Sequence, residues 1–321
     1  MPDRAVAAID CGTNSTRLLI ADRDGHPLER LMKITRLGQG VDRRRFLDPQ
    51  AIDRTLGVLT RYRAAMDRHG VGQVRMTATS AARDASNHDD FFSAATAVVG
   101  VAPELLSGEE EGRLSFAGAT AGLPADGVDS GLYLVADIGG GSTELAVGPV
   151  GGSGHPSEAR SAPLAICSLD VGCVRITERY LHGDPPAADE LAAATRRVER
   201  LLVEASAEQP VLAAADHLIG LAGTVAALAA LDQGLVGYER AAVHHYRLRR
   251  EAVDGLLETL ASESVATRLA RPSMEAARAD VIVGGAIVLS ALLRHFRLAW
   301  CLTSEADILD GLVMSLLRPD L

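Results

Sequence analysis

Aromatic side chains make up only 3% of this 321-residue chain, which leaves little with which to stack on a nucleobase. Cysteine is also scarce. Cys11, Cys167, Cys173 and Cys301 fall in no CxxC pair and at no metal-ligand spacing. That excludes a zinc module or a disulfide framework and leaves small core residues of a reduced, cytoplasmic protein. No apolar run is long enough to cross a bilayer, and the opening MPDRAVAAID is a short strand that meets Asp10 too early for a signal peptide. An excess of basic residues is missing as well. The net charge of −10 argues against nucleic acid or a membrane surface as partner of the whole molecule. A polyanionic substrate stays open, because a local cluster of arginines reverses the sign inside a cleft. At roughly 150 residues per domain the length corresponds to about two domains, each able to bury its own core.

What is present centres on Leu132 to Gly148, LYLVADIGGGSTELAVG. Leu132 to Ala136 read as a buried strand that ends at the carboxylate of Asp137, and Gly139, Gly140, Gly141, Ser142 and Thr143 follow as a turn. The residues from Glu144 to Gly148 are too few for a helix and stop at Pro149, so the turn joins two strands of a hairpin. A GxxxxGK[ST] loop or a GxGxxG fingerprint opens onto a helix, and this turn carries neither pattern. Glycines let successive N–H groups converge on an anion, and Asp137 and Glu144, at the two ends of the turn, are placed to hold a hard cation such as Mg²⁺ beside it. The same device occurs earlier. Asp10 to Leu18, DCGTNSTRL, aligns without a gap on Asp137 to Leu145, DIGGGSTEL, and both follow an apolar strand. Gly12, Thr13, Asn14 and Ser15 then form a second phosphate turn, Asp10 is a further metal candidate, and Arg17 stands where the other copy has Glu144. One copy suits the anion and the other the metal. A duplicated hairpin implies two related domains, each giving a loop to one cleft.

Along the rest of the chain, Leu28 to Leu37 read as a third strand. Arg43, Arg44 and Arg45 lie in a loop, either as a solvated cluster or as contacts for the distal phosphates of a chain substrate. A helix runs from Pro49 to His69 with Asp48 as its cap. Val74 to Ala78 form a buried strand that turns directly into helix at Thr79 and Ser80, where hydroxyls and N–H groups meet a positive dipole end. Arg83, one turn on, is in reach of the same anion. Ile219 to Thr224 repeat that layout. In the helix that begins near Gly108, Ser107 and Glu110 satisfy a capping box, Glu109 belongs to the exposed first turn, and Glu111 shares a face with Leu114, Ser115 and Gly118. A carboxylate on such a face, flanked by two other acids, is expected to hold its proton more strongly and so to suit a general base. Ala121 to Gly131 read as the connection between domains 1–124 and 125–303, and Gly148 to Ser157 as a surface loop. A strand is expected at Arg160 to Cys167, a helix near Val171 to Leu181 carrying Arg175, and a long helix from Pro186 to Glu208. His244 and His245, in a strand, point to opposite faces and lack a third ligand. Ala299 to Ser304 are the last strand and Ala306 to Leu317 a final helix.

DCGTNSTRLLIAD, ATSAARDA, LSGEEEGRLSFAG, DIGGGSTELAVG, GLAGTVAALAAL and RADVIVGGA, in this order, resemble the exopolyphosphatase and guanosine pentaphosphate phosphatase (Ppx/GppA) family in its short, two-domain form. The resemblance spans Ile9 to Gly311. It implies an α/β fold of two duplicated domains of the actin, sugar kinase and heat-shock chaperone type (ribonuclease H-like). The active site then lies in the inter-domain cleft, and a C-terminal helix, 304–321, completes the first domain. It implies Glu111 as the general base and a substrate role for Arg175, which would join Arg43, Arg44 and Arg45 as a candidate distal contact. The leading expectation is a Mg²⁺-dependent exopolyphosphatase, cytoplasmic and homodimeric, that releases terminal orthophosphate from inorganic polyphosphate. A guanosine pentaphosphate phosphatase with the same machinery is the alternative. A nucleotide- or polyphosphate-binding sensor that does not hydrolyse is a third, which would not need Glu111. No nucleic acid or membrane partner is implied.

Overall fold

The computed structural model describes residues 4–123, 130–151 and 162–318. The chain divides into two compact units, one made of residues up to Gly118 together with those from Ile308 onward, the other Ala119–Asp307. Each is built on one mixed sheet. In unit 1, β1 (Val6–Cys11), β2 (Ser15–Ala21), β3 (Pro27–Ile34), β4 (Gln73–Ala78) and β5 (Glu104–Leu105) lie in the order β3-β2-β1-β4-β5. In unit 2, β6 (Gly131–Ile138), β7 (Thr143–Val150), β8 (Ala165–Leu169), β9 (His217–Leu221), β10 (Arg247–Arg249) and β11 (Trp300–Thr303) lie in the order β10-β11-β9-β6-β7-β8. Read from the opposite edge, β8-β7-β6-β9-β11 repeats the unit 1 order strand for strand, and β10 is an added antiparallel edge. The duplicated α/β fold expected from the sequence is therefore present. The three-residue β10 follows His244 and His245, where the sequence suggests a strand, but starts only at Arg247.

β1 shows why these strands read as continuous apolar runs. Ala7, Ile9 and Cys11 pack with Leu59, Tyr62, Met66 and Phe91 from the helices Pro49–Arg68 and His88–Val99. Val6 and Ala8 face the other way, onto Leu114 and onto Ile308, Leu309, Leu312 and Val313 of the C-terminal helix Ile308–Leu317. A strand covered on both faces has no polar alternation to show. The C-terminal helix comes close enough that a Cβ on Gly311 would run into the Leu114 carbonyl. In unit 2, Leu134, Ala136 and Ile138 of β6 belong to a core shared with the helices Cys173–Tyr180, Ala188–Glu208 and Ile282–His295.

Several boundaries differ from expectation. The third strand ends at Ile34 because Thr35 and Arg36 turn their N–H groups onto the Asn14 carbonyl. Of the strand expected at Arg160 to Cys167, Arg160 and Ser161 lie outside the described residues, and β8 runs from Ala165 to Leu169 in register with β7. Arg43 and Arg44 lie in a short helix, Val41–Arg44, and Arg45 ends it with a left-handed φ of 51°. His244 and His245 do not sit in a strand. The left-handed φ of 63° at His245 stacks the two rings with centroids 3.7 Å apart. The expected connection, Ala121 to Gly131, and the loop Gly148 to Ser157 fall partly outside the described residues.

Candidate active site

Each unit gathers its candidate residues at the carboxyl ends of its parallel strands, where α/β sheets leave room for a ligand. In unit 1, β1, β4 and β5 are parallel neighbours. They end respectively in the turn from Gly12 to Ser15, in the junction Thr79–Ser80, and in Ser107 at the head of the helix Gly108–Ala121 that carries Glu111. In unit 2, β6, β9 and β11 play the same parts. They end in the turn from Gly139 to Ser142, in Ala222–Thr224, and in Ser304.

The two turns close alike: the Gly12 N–H donates to Ser15 O at 3.0 Å, and the Gly139 N–H donates to Ser142 O at 3.0 Å. Behind the unit 2 turn, three successive carbonyls are held. Gly139 O accepts from the Cys173 N–H, Gly140 O from the Val174 and Arg175 N–H groups, and Gly141 O from Arg175 Nε at 2.6 Å. The first two come from the head of the helix Cys173–Tyr180, and Gly172, just before it, lies so near that a Cβ there would sit 2.6 Å from Gly140. In a planar trans peptide the N–H opposes the preceding carbonyl. The N–H groups of Gly140, Gly141 and Ser142 therefore face away from the helix, and none of the three has an acceptor among the described residues. In unit 1 the backing is main chain. Thr13 O accepts from the Gly38 N–H, and Asn14 O accepts from the Thr35 and Arg36 N–H groups.

The residues flanking the turns differ in charge. Asp10 is opposite Arg17 in the β1–β2 register, and the guanidinium donates to its Oδ2 from Nε at 3.1 Å and from Nη2 at 2.7 Å. Arg17 and Asp10 are thus paired across their own hairpin, through one of the two carboxylate oxygens. In unit 2 the equivalent pair is Asp137 and Glu144, opposite each other in register and 5% and 2% exposed. Glu144 Oε1 accepts from the Ser168 hydroxyl on β8. Two like charges directly across a ladder and out of water favour a cation between them, so the donor set fits a hard divalent ion. Among the described residues, the one set of three acidic or thiol or imidazole ligands with atoms within 4.8 Å is Asp22, Asp24 and His26. It is an exposed turn in which Asp22 Oδ1 already accepts from two N–H groups.

Glu111 is 9% exposed. Its neighbours are not the acids the sequence suggested. Arg83 Nη1 donates to Glu111 Oε2 at 2.8 Å and to Leu106 O at 2.9 Å. A cation at that distance favours the ionised carboxylate, and it pairs Arg83 with Glu111. Glu109 pairs outward with Arg113. Ser107 caps the helix by accepting from the Glu110 N–H, while the Glu110 carboxylate reaches Arg75 instead of folding back. Thr79 and Ser80 are buried at the head of the five-residue helix Ser80–Asp84.

Of the arginine cluster, Arg44 pairs with Asp48 and Arg45 with Asp84, and Arg43 is exposed on the short helix. Arg175, expected among the distal contacts, is 5% exposed beneath the unit 2 turn. Sequence reasoning passed over Arg278, whose guanidinium occupies the space a Cβ on Gly223 would take, beside the Ala222–Thr224 junction. Burial raises the thiols of Cys11, Cys173 and Cys301, and Cys167 is pushed up to about 11, so none is a ready nucleophile.

A profile of the Ppx/GppA phosphatase family matches residues 19–319. The protein named Exopolyphosphatase 2 of Mycobacterium tuberculosis is 42% identical, over 97% of this chain and 98% of its own. Among solved structures, an exopolyphosphatase from Cytophaga hutchinsonii superposes with a TM-score of 0.86 at 25% identity, covering 98% of each chain. The Aquifex aeolicus member of the Ppx/GppA family superposes with a TM-score of 0.80 at 29% identity over the whole of both chains.

Proposed function

The chain belongs to the Ppx/GppA phosphatase family, and we propose from that premise that it is an exopolyphosphatase, a hydrolase that releases orthophosphate from the end of an inorganic polyphosphate. The observation that carries this reading is the unit 2 turn. Three consecutive N–H groups turned away from their backing form a cradle that suits the oxygens of a phosphoryl group. The turn from Gly12 to Ser15, with the Thr79 and Ser80 hydroxyls, offers the same chemistry on unit 1. Little covalent chemistry is required of the protein in phosphoryl transfer, so positioning and charge stabilisation suffice.

Glu111, held ionised by Arg83, takes the proton of the attacking water as the terminal anhydride bond breaks. Asp137 and Glu144 would hold a divalent cation, which we take to be Mg²⁺. Bound there, it offsets charge on the phosphate oxygens. Four free thiols among the described residues fit a reducing compartment, the cytoplasm.

Phosphate release in the presence of Mg²⁺, with short polyphosphate, long polyphosphate, guanosine pentaphosphate and ATP supplied in parallel, tests the reading. Release from the inorganic chains is expected. Release from the guanosine nucleotide alone would transfer the function to alarmone turnover, and no release from any would favour a binding module. Glu111→Gln is expected to lower turnover by about 10²- to 10⁴-fold while phosphate binding survives, and a variant that still turns over at the native rate removes Glu111 as the base.

A further inference from the structure

Arg175 lies on the helix Cys173–Tyr180 with its side chain turned under the glycine turn, where its Nε donates to Gly141 O at 2.6 Å. The Gly139 and Gly140 carbonyls are taken by main-chain N–H groups of the same helix, including that of Arg175 itself, and Ser142 O by the Gly139 N–H that closes the turn. We propose that Arg175 is a positioning residue for the phosphate-binding turn of unit 2: it fixes the Gly141–Ser142 peptide so that the Ser142 N–H points at the substrate phosphoryl. The inference rests on the phosphate-binding reading of that turn and deepens it.

The physical case is a matter of which peptide has freedom to flip. Glycine has no Cβ to restrict its φ and ψ, and three glycines in a row leave the turn many conformations of similar energy. Closure by the Gly139 N–H fixes one end of the turn. Gly139 and Gly140 are held by N–H groups at a helix head, which cannot be altered by changing a side chain. The Gly141 carbonyl depends on Arg175 for the contact that corresponds, in unit 1, to two main-chain N–H groups on Asn14 O. Rotating the Gly141–Ser142 peptide by half a turn would present a carbonyl oxygen, rather than an N–H, to an anion. A guanidinium is suited to prevent this, because its planar array of donors is permanently charged and it forms strong hydrogen bonds to carbonyl oxygen.

A positioning role and a direct contact with the far end of a chain substrate make different predictions about chain length. If Arg175 holds the turn, Arg175→Met lowers kcat/KM about tenfold or more, by the same factor for tripolyphosphate and for long polyphosphate, and weakens orthophosphate binding measured by titration. Arg175→Lys, which keeps the charge without the planar fork, recovers part of the loss. A loss that grows with chain length overturns the proposal in favour of a distal contact. A lowered melting temperature with unchanged kcat/KM and orthophosphate affinity overturns it in favour of a packing role. Should the methionine variant fail to fold, the lysine variant is read by the same criteria. A native protein that binds orthophosphate but releases none from any chain would sink the hydrolase reading, and loss of that binding in Arg175→Met would still uphold the role of Arg175.

Discussion

The two glycine turns descend from one pattern and have been finished differently. In unit 1 the hairpin carries its own counter-ion, since Asp10 faces Arg17 across the ladder. The turn behind it is braced by backbone from Thr35 to Gly38. In unit 2 the residue facing the aspartate is Glu144, and the brace is a helix head together with one side chain. One substitution, arginine against glutamate at aligned positions, thus separates a hairpin whose aspartate faces a cation across the ladder from one whose aspartate faces a second carboxylate. Two copies of one motif need not do one job, and the residue opposite the aspartate tells them apart.

Stability should break this symmetry most visibly. Arg17→Met takes the guanidinium away from an aspartate that is only 2% exposed, and the unfolding free energy is expected to fall by about 3–5 kcal/mol. The equivalent change in the other copy, Glu144→Gln, removes one of two facing like charges. It is expected to leave the metal-free protein as stable as before or more so. Urea unfolding of both variants without divalent ions measures the contrast, and equal losses would mean that the two hairpins are electrically alike. Next in size is the metal requirement. Asp137→Asn should raise the Mg²⁺ concentration needed for half-maximal phosphate release about tenfold or more, the loss of a carboxylate ligand, whereas Asp10→Asn should move that midpoint far less. Equal shifts would place Asp10 in the metal site after all.

The smallest effect is a pH slope located in unit 2. Burial depresses the imidazole of His295, whose Nε2 lies 2.8 Å from the Ser206 hydroxyl. As pH falls below the ordinary histidine value near 6.5, the unfolded chain takes up a proton that the folded chain refuses, so stability declines on the acid side. His295→Gln should flatten that part of the curve in urea midpoints taken between pH 7.5 and pH 5.5. An unchanged slope would assign it to other groups.

Much of the fold was legible because its signals are local. The helix Pro49–Arg68 has proline at its start and Asp48 accepting from the Gln50 N–H, and the hairpins announce themselves by glycine between two apolar runs. The Asp10–Arg17 pair was also within reach, since a hairpin closed by the Gly12 turn sets those residues opposite each other by register alone. Arg175 was not. Its helix shows an arginine among other charges, Glu178 and Arg179, and nothing in CVRITERY marks which cation is buried. The contact that buries it comes from a turn more than thirty residues earlier in the chain. Glu111 illustrates the same limit. Its sequence neighbours are acids, but the helix turns them outward and brings Arg83 in from a different strand end, which reverses the local electrostatics.

The C-terminal helix has a consequence for synthesis. Val6 and Ala8 on β1 and Leu19 and Ala21 on β2 are covered by Ile308, Leu309, Leu312 and Val313, so β1 and β2, once made on the ribosome, wait for the helix Ile308–Leu317. Everything in Ala119–Asp307 is translated in between, an interval on the order of ten to forty seconds at ordinary elongation rates. The later unit is therefore free to reach its native state first, while the earlier one holds an apolar sheet face uncovered. A nascent chain arrested before Ile308 emerges should present that face to a chaperone.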